Sequence, residues 1–134
     1  MNSTKRRWPG AALACALAVT AMLAAAPAWA YTATVKNQTK HNVKVEVFEV
    51  RFIGVFNSVG SKMLGPGESA EFHTNGAFCI YRYEGWYVET DPSTWKTKSQ
   101  HWEAKANPDG AMCTGQQVTV KKRDNGTFYF KLFY

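Results

Sequence analysis

Cysteine is scarce, three in 134 residues, and none of the three sits in a Cys-x-x-Cys pair or at the spacing of zinc ligands. That excludes the usual dithiol redox and small metal-ribbon designs. After residue 30 no apolar pattern of helical period runs beyond a turn or two, so a helical bundle is excluded as well. Neither an internal repeat nor a linker is present. Leu64-Gly65-Pro66-Gly67 lacks the lysine and helix of a phosphate loop, there is no calcium loop, and no serine lies in a nucleophile elbow. Charge is absent from Ala11 to Ala26.

That uncharged run follows Lys5, Arg6 and Arg7 and precedes Ala28-Trp29-Ala30, whose small residues suit signal peptidase. Basic, apolar and small-x-small segments in this order predict a cleaved secretory leader over residues 1–30. The run is too short and alanine-rich for a comfortable membrane span. Ala12-Leu13-Ala14 before Cys15 is a poor lipidation signal. Residues 31–134 are then one domain with one modest core, in a secreted or periplasmic location. Of the 16 Lys and Arg, three leave with the leader, so 13 face 10 Asp and Glu and the formal charge falls from +6 to +3. A charge that small gives no reason to expect a nucleic-acid partner. Cys79 and Cys113 remain, and an exported pair in a small domain is expected to be bridged.

The rest reads as strands. Val43, Val45 and Val47 alternate with Lys44 and Glu46, the period-two signature of a half-buried strand. The alternation slips at Val47-Phe48, predicting a bulge after which Phe48, Val50 and Phe52 turn inward. Val55 and Val59 read as buried. Leu64 to Glu68 is a turn, Ser69 to Thr74 a short strand, and Asn75-Gly76 a hairpin turn into the aromatic segment Ala77 to Val88. Asp91-Pro92-Ser93 fits either a capped helical turn or a break before a strand reaching Trp102. Gln116 to Lys122 and Thr127 to Tyr134 are the last strands, the latter expected in a central place because a bare apolar edge invites aggregation. Seven or eight short strands predict an all-β fold, a small antiparallel sandwich or partly open barrel.

Three Trp, six Tyr and eight Phe after residue 30 are hard to hide in so small a core. Tyr81, Arg82, Tyr83, Trp86 and Tyr87, with Trp95 and Trp102, are therefore the candidate binding residues. Tyr81 and Tyr83 are expected to share a strand face. Exposed Tyr and Trp bury large area at low entropy cost, which suits a carbohydrate or an extracytoplasmic protein partner. The competing reading places these rings in the core. A catalytic alternative, a small hydrolase or nuclease, rests on His101 and Glu103 with His73 or His41, and requires the histidines to converge. A membrane-active role would use lysines for steering and Trp86 and Trp95 for insertion. Lys121-Lys122-Arg123 reads as a solvated turn cluster. Asn37-Gln38-Thr39 and Asn125-Gly126-Thr127 fit the glycosylation acceptor pattern. No metal or cofactor is implied by any of these groups.

Overall fold

Alternation sorts each strand into a dry and a wet side, and two dry sides facing each other make the fold. The structure, a computed structural model, describes residues 30–134. One sheet contains β1 (Thr32–Asn37), β4 (Ser69–His73), β7 (Gln116–Lys122) and β8 (Phe128–Phe133), in the order β4-β1-β7-β8. The other contains β2 (Val43–Phe52), β3 (Val55–Leu64), β5 (Cys79–Thr90) and β6 (Thr97–Lys105), in the order β3-β2-β5-β6. The result is an eight-stranded sandwich, not closed into a barrel. It is mostly antiparallel, but β1 and β7 pair in parallel, Val35 opposite Val118. Residues 1–29, where the leader and Cys15 were read, lie outside the described residues.

The core is built by the inward faces of both sheets: Ala33 and Val35, the expected Val43, Val45 and Val47, Phe72, Val118 and Val120, Phe128 and Phe130 are all buried. Cys79 and Cys113 are bonded, tying the start of β5 to the β6–β7 connection. Beside the bond, Ile80 and Met112 exchange two backbone hydrogen bonds of 2.9 and 2.7 Å.

Several local expectations are corrected. The slip near Phe48 is real, but its extra residues are Val59 on β3 and Tyr81 on β5, so β2 keeps its own alternation. Glu49, not Phe48 or Val50, therefore continues the inward face, wholly buried, while Phe52 and Val55 are exposed. Val59 is partly buried. Asn75-Gly76 makes no hairpin, because β4 pairs with β1 in one sheet while β5 pairs with β2 and β6 in the other. The connection instead crosses between the sheets. β8 is an edge strand rather than a central one, and Tyr134 is exposed. Its edge is blunted in part by Gln100, whose Oε1 accepts from the Phe128 N–H at 3.1 Å, and by lysine and arginine lying over its rings.

Glu49 explains the crossing. Its carboxylate accepts from the Asn75 N–H at 2.7 Å, from Asn75 Nδ2 at 3.1 Å and from Arg51 Nε at 2.9 Å. A buried carboxylate with three donors is a clamp on the inter-sheet connection. Burial pushes its pKa up, but the Asn75 and Arg51 hydrogen bonds and the Arg51 charge outweigh that and hold it below the usual 4.5. A depressed folded pKa means that this stabilisation is complete above the unfolded value and is lost as pH falls through the folded one. Urea midpoints at pH 7 and pH 3 should therefore differ more for the wild type than for Glu49→Gln, which begins less stable. Equal pH dependence in both proteins would refute the clamp.

Asn37 ends β1 fully buried, so the first acceptor motif is not presented for glycosylation in the folded chain. Its Nδ2 donates to the carbonyls of His41, Leu64 and Gly65 at 2.7, 3.0 and 3.1 Å. Its Oδ1 accepts from the N–H and hydroxyl of Thr39. This one amide joins the β1–β2 turn to the β3–β4 turn. Asn125 in the second motif is exposed, and its Oδ1 accepts from the N–H and hydroxyl of Thr127.

Candidate functional site

The seven aromatic-site candidates divide between the interior, the outer face of the β3-β2-β5-β6 sheet, and an isolated turn. Three are interior. Tyr83 is fully buried and donates to Gln116 Oε1 at 2.7 Å, whose Nε2 in turn donates to the Ala106 carbonyl at 2.8 Å. Burial pushes its phenol far above the ordinary range, with a smaller contribution from Tyr134. Tyr87 packs on Phe128 with ring centroids 4.8 Å apart, and its hydroxyl bonds Glu89. Burial first, then the Glu89 bond and charge, push it up to about 12. Both phenols thus stay protonated at neutral pH. Trp102 stacks on Phe128 at 5.0 Å and lies across Gly85 of the neighbouring strand. The aromatic cluster is mostly core.

The extra residue at Tyr81 separates the two tyrosines expected to share a face. Tyr83 points inward, and Tyr81 stacks on Phe56 at 4.2 Å. Arg82 and Trp86 occupy the outer face, where strand register sets three rows. Met63, Lys44, Trp86 and His101 lie abreast; next come Ser61, Glu46, Glu84 and Glu103; then Ser58, Phe48, Arg82 and Lys105. Like charges placed opposite each other destabilise a sheet. Here Arg82 Nη2 reaches Glu84 Oε1 at 2.7 Å, and His101 Nε2 stands 3.4 Å from Glu84 Oε2. The Arg82 guanidinium also lies 4.5 Å from the Phe48 ring centre. Trp86 has the Lys44 ammonium 5.1 Å from its ring centre on the β2 side and the His101 ring at 5.0 Å on the β6 side. A shallow depression of about 360 Å³ beside it is lined by Asn42, Lys44, Met63, Trp86 and Val88, with Met63 and Val88 exposed. Trp95 is alone in the β5–β6 turn, exposed and at φ 55°.

The histidines do not converge. His101 stands on the outer face; His73 is on β4 of the other sheet, with Nδ1 3.0 Å from Thr32 Oγ1. His41 sits in the β1–β2 turn against Tyr87 and Phe128, its Nε2 3.0 Å from Lys122 Nζ. No hydrogen bond joins any two of them among the described residues. Glu103 lies opposite Glu84, next to His101's row. No group of three or more His, Cys, Asp and Glu able to hold a metal occurs among the described residues.

Sequence reasoning missed one surface. At the β2–β3 hairpin, Phe52 is 70 % exposed, Ile53 104 %, Val55 45 % and Phe56 38 %. Gly54, at φ 80°, makes the tight turn that presents them. The available signal was composition: a glycine turn with apolar residues where polar ones are usual.

No protein-family model matches this chain, and no curated protein does. Among solved structures, the crystal structure of the human-specific toxin intermedilysin is similar over 78 % of this chain and 24 % of that one, at 9 % identity and a TM-score of 0.38. The chain thus spans about a quarter of that toxin's length, and a likeness at this score carries no argument about function.

Proposed function

We propose that the protein is an extracytoplasmic, non-catalytic binding module whose contact surface is the outer face around Trp86, and that its partner is a protein. The observation that carries this is the partly buried Trp86 with Met63 and Val88 exposed in the same depression, and Lys44, Glu84, Arg82 and His101 as the polar rim. Protein interfaces have this composition: aromatic, Met and Arg anchors inside a polar border. A sugar stacks on an open ring face, and the Trp86 ring is already flanked by Lys44 and His101. That favours a protein over a carbohydrate. The leader pattern and the disulfide pair support an extracytoplasmic location.

A photo-crosslinker placed at Met63 in cells exporting the protein should yield one defined adduct. Adding Trp86→Ala should remove it, since anchors of this kind are worth about 2 kcal/mol or more, roughly thirtyfold in affinity. The melting temperature should move by only a few degrees, because Trp86 lies outside the core. Adducts no stronger than those from Gln117, exposed on the other sheet, would refute the reading.

A further inference from the structure

We propose that the β2–β3 hairpin tip is a membrane-contact site, inserting Phe52, Ile53 and Val55 into the interface of a lipid bilayer. Nothing in the fold requires these side chains. Ile53 covers no core residue, and a polar residue would make the same turn. The tip is convex and sits at the extremity of its sheet, so it receives no small ligand. It is also too small for a stable protein interface, which takes about 800 Å² and 20–30 residues on each partner. Interfacial insertion has no such threshold, because affinity grows with each apolar group immersed.

The surroundings fit the depth of a bilayer interface. Behind the tip, Phe78 lies 6.4 Å from Phe52, and Tyr81 stacks on Phe56. The Arg51 guanidinium covers the Phe78 ring at 5.2 Å. Aromatic rings and a cation set back from an apolar point are the arrangement that a headgroup layer accommodates. The arginines near the tip are already met by carboxylates, Arg51 by Glu49 at 2.9 Å, so the apolar side chains and the rings behind them carry the contact. Arg82, near the starting end of β5, is met by Glu84 at 2.7 Å, and Lys105 lies opposite it on β6. Glu49 is buried and engaged by Arg51 and Asn75, and Glu71 on β4 and Glu103 on β6 are exposed carboxylates of the same two sheets. Lysines steering a domain to lipid were expected to accompany insertion by Trp86 and Trp95. The exposed apolar cluster is instead on a different hairpin from either.

The test uses the full chain and its Phe52→Ser/Ile53→Ser variant, with vesicles of phosphatidylcholine and phosphatidylglycerol in a 3:1 ratio. Hydrogen exchange should slow at the amides of residues 52–55 when vesicles are added, a local signal that the apolar N-terminal run cannot produce. Vesicle affinity should fall at least about tenfold in the variant, since two large side chains leave the interface. Exposed substitutions of this kind change stability by only about 0.5 kcal/mol, so the variant stays folded. Unchanged exchange at the tip, equal affinity of the two proteins, or tip protection produced by another protein without lipid would each overturn the proposal. The Met63 crosslink is insensitive to all three, so the two readings fail separately.

Discussion

Gly85→Ala should lower the melting temperature by about 12 °C or more. The position looks permissive, a small residue in a strand, yet a Cβ there would lie 2.3 Å from Cε2 and Cζ2 of Trp102 and 2.8 Å from its Nε1. Real side chains do not approach so closely, so something must move. The indole is poorly placed to do so. It stacks on Phe128 with planes 18° apart, and Phe130 lies 5.7 Å from it on the same side of the core. Overpacking costs about 1–3 kcal/mol and more where no relaxation path exists, which sets the expectation near the upper end, about 3 kcal/mol. A double-mutant cycle with Trp102→Leu checks the cause. The smaller side chain should destabilise the wild type but make the alanine nearly harmless, giving a coupling above about 1 kcal/mol. Additive effects, or a melting temperature for Gly85→Ala within about 3 °C of the wild type, would show that the close approach is not what the glycine provides.

Asn37→Asp should be as damaging, although it exchanges one group of the same shape. The Nδ2 that donates to three carbonyls becomes an oxygen, so acceptors would face acceptors around a buried side chain. Buried unsatisfied groups cost about 1–3 kcal/mol each, and a loss of about 4 kcal/mol is expected at pH 7. The pH dependence carries a sign. Only a protonated aspartic acid donates to a carbonyl, so its folded pKa must rise above the unfolded value of about 3.9. The penalty is therefore smallest below that value and grows as pH rises through it. Chemical denaturation at pH 4 and pH 7 should show the variant losing relative stability with rising pH. A deficit independent of pH would mean that the amide's shape matters and its donors do not.

The pattern of valines on β2 and the Pro-Gly turn before β4 were both legible, because each depends on neighbours within a few residues. The sulfur bridge was legible from a count of two. What escaped depends on contacts between distant residues. Whether Asn75-Gly76 closes a hairpin or bridges two sheets is decided by Glu49, 26 positions earlier, and no local preference records that. Likewise, the slip near Phe48 was visible, but its extra residues belong to Val59 and Tyr81 on the flanking strands. That reassignment turned Glu49 inward and parted Tyr81 from the buried Tyr83. Phe52 and Val55 were misread for a related reason. Hydrophobicity implies burial only when a facing layer exists, and the tip of a hairpin has none.

The parallel partnership of β1 and β7 also governs the order of assembly. Thr34 finds its neighbour Gln117 more than eighty residues later, a long loop to close before any pairing energy is gained. During synthesis, the first strand to emerge waits, held on one flank by β4, until nearly the whole described chain has followed it. A ribosome that stalls before residue 116 would leave that flank open, a template for pairing with another chain.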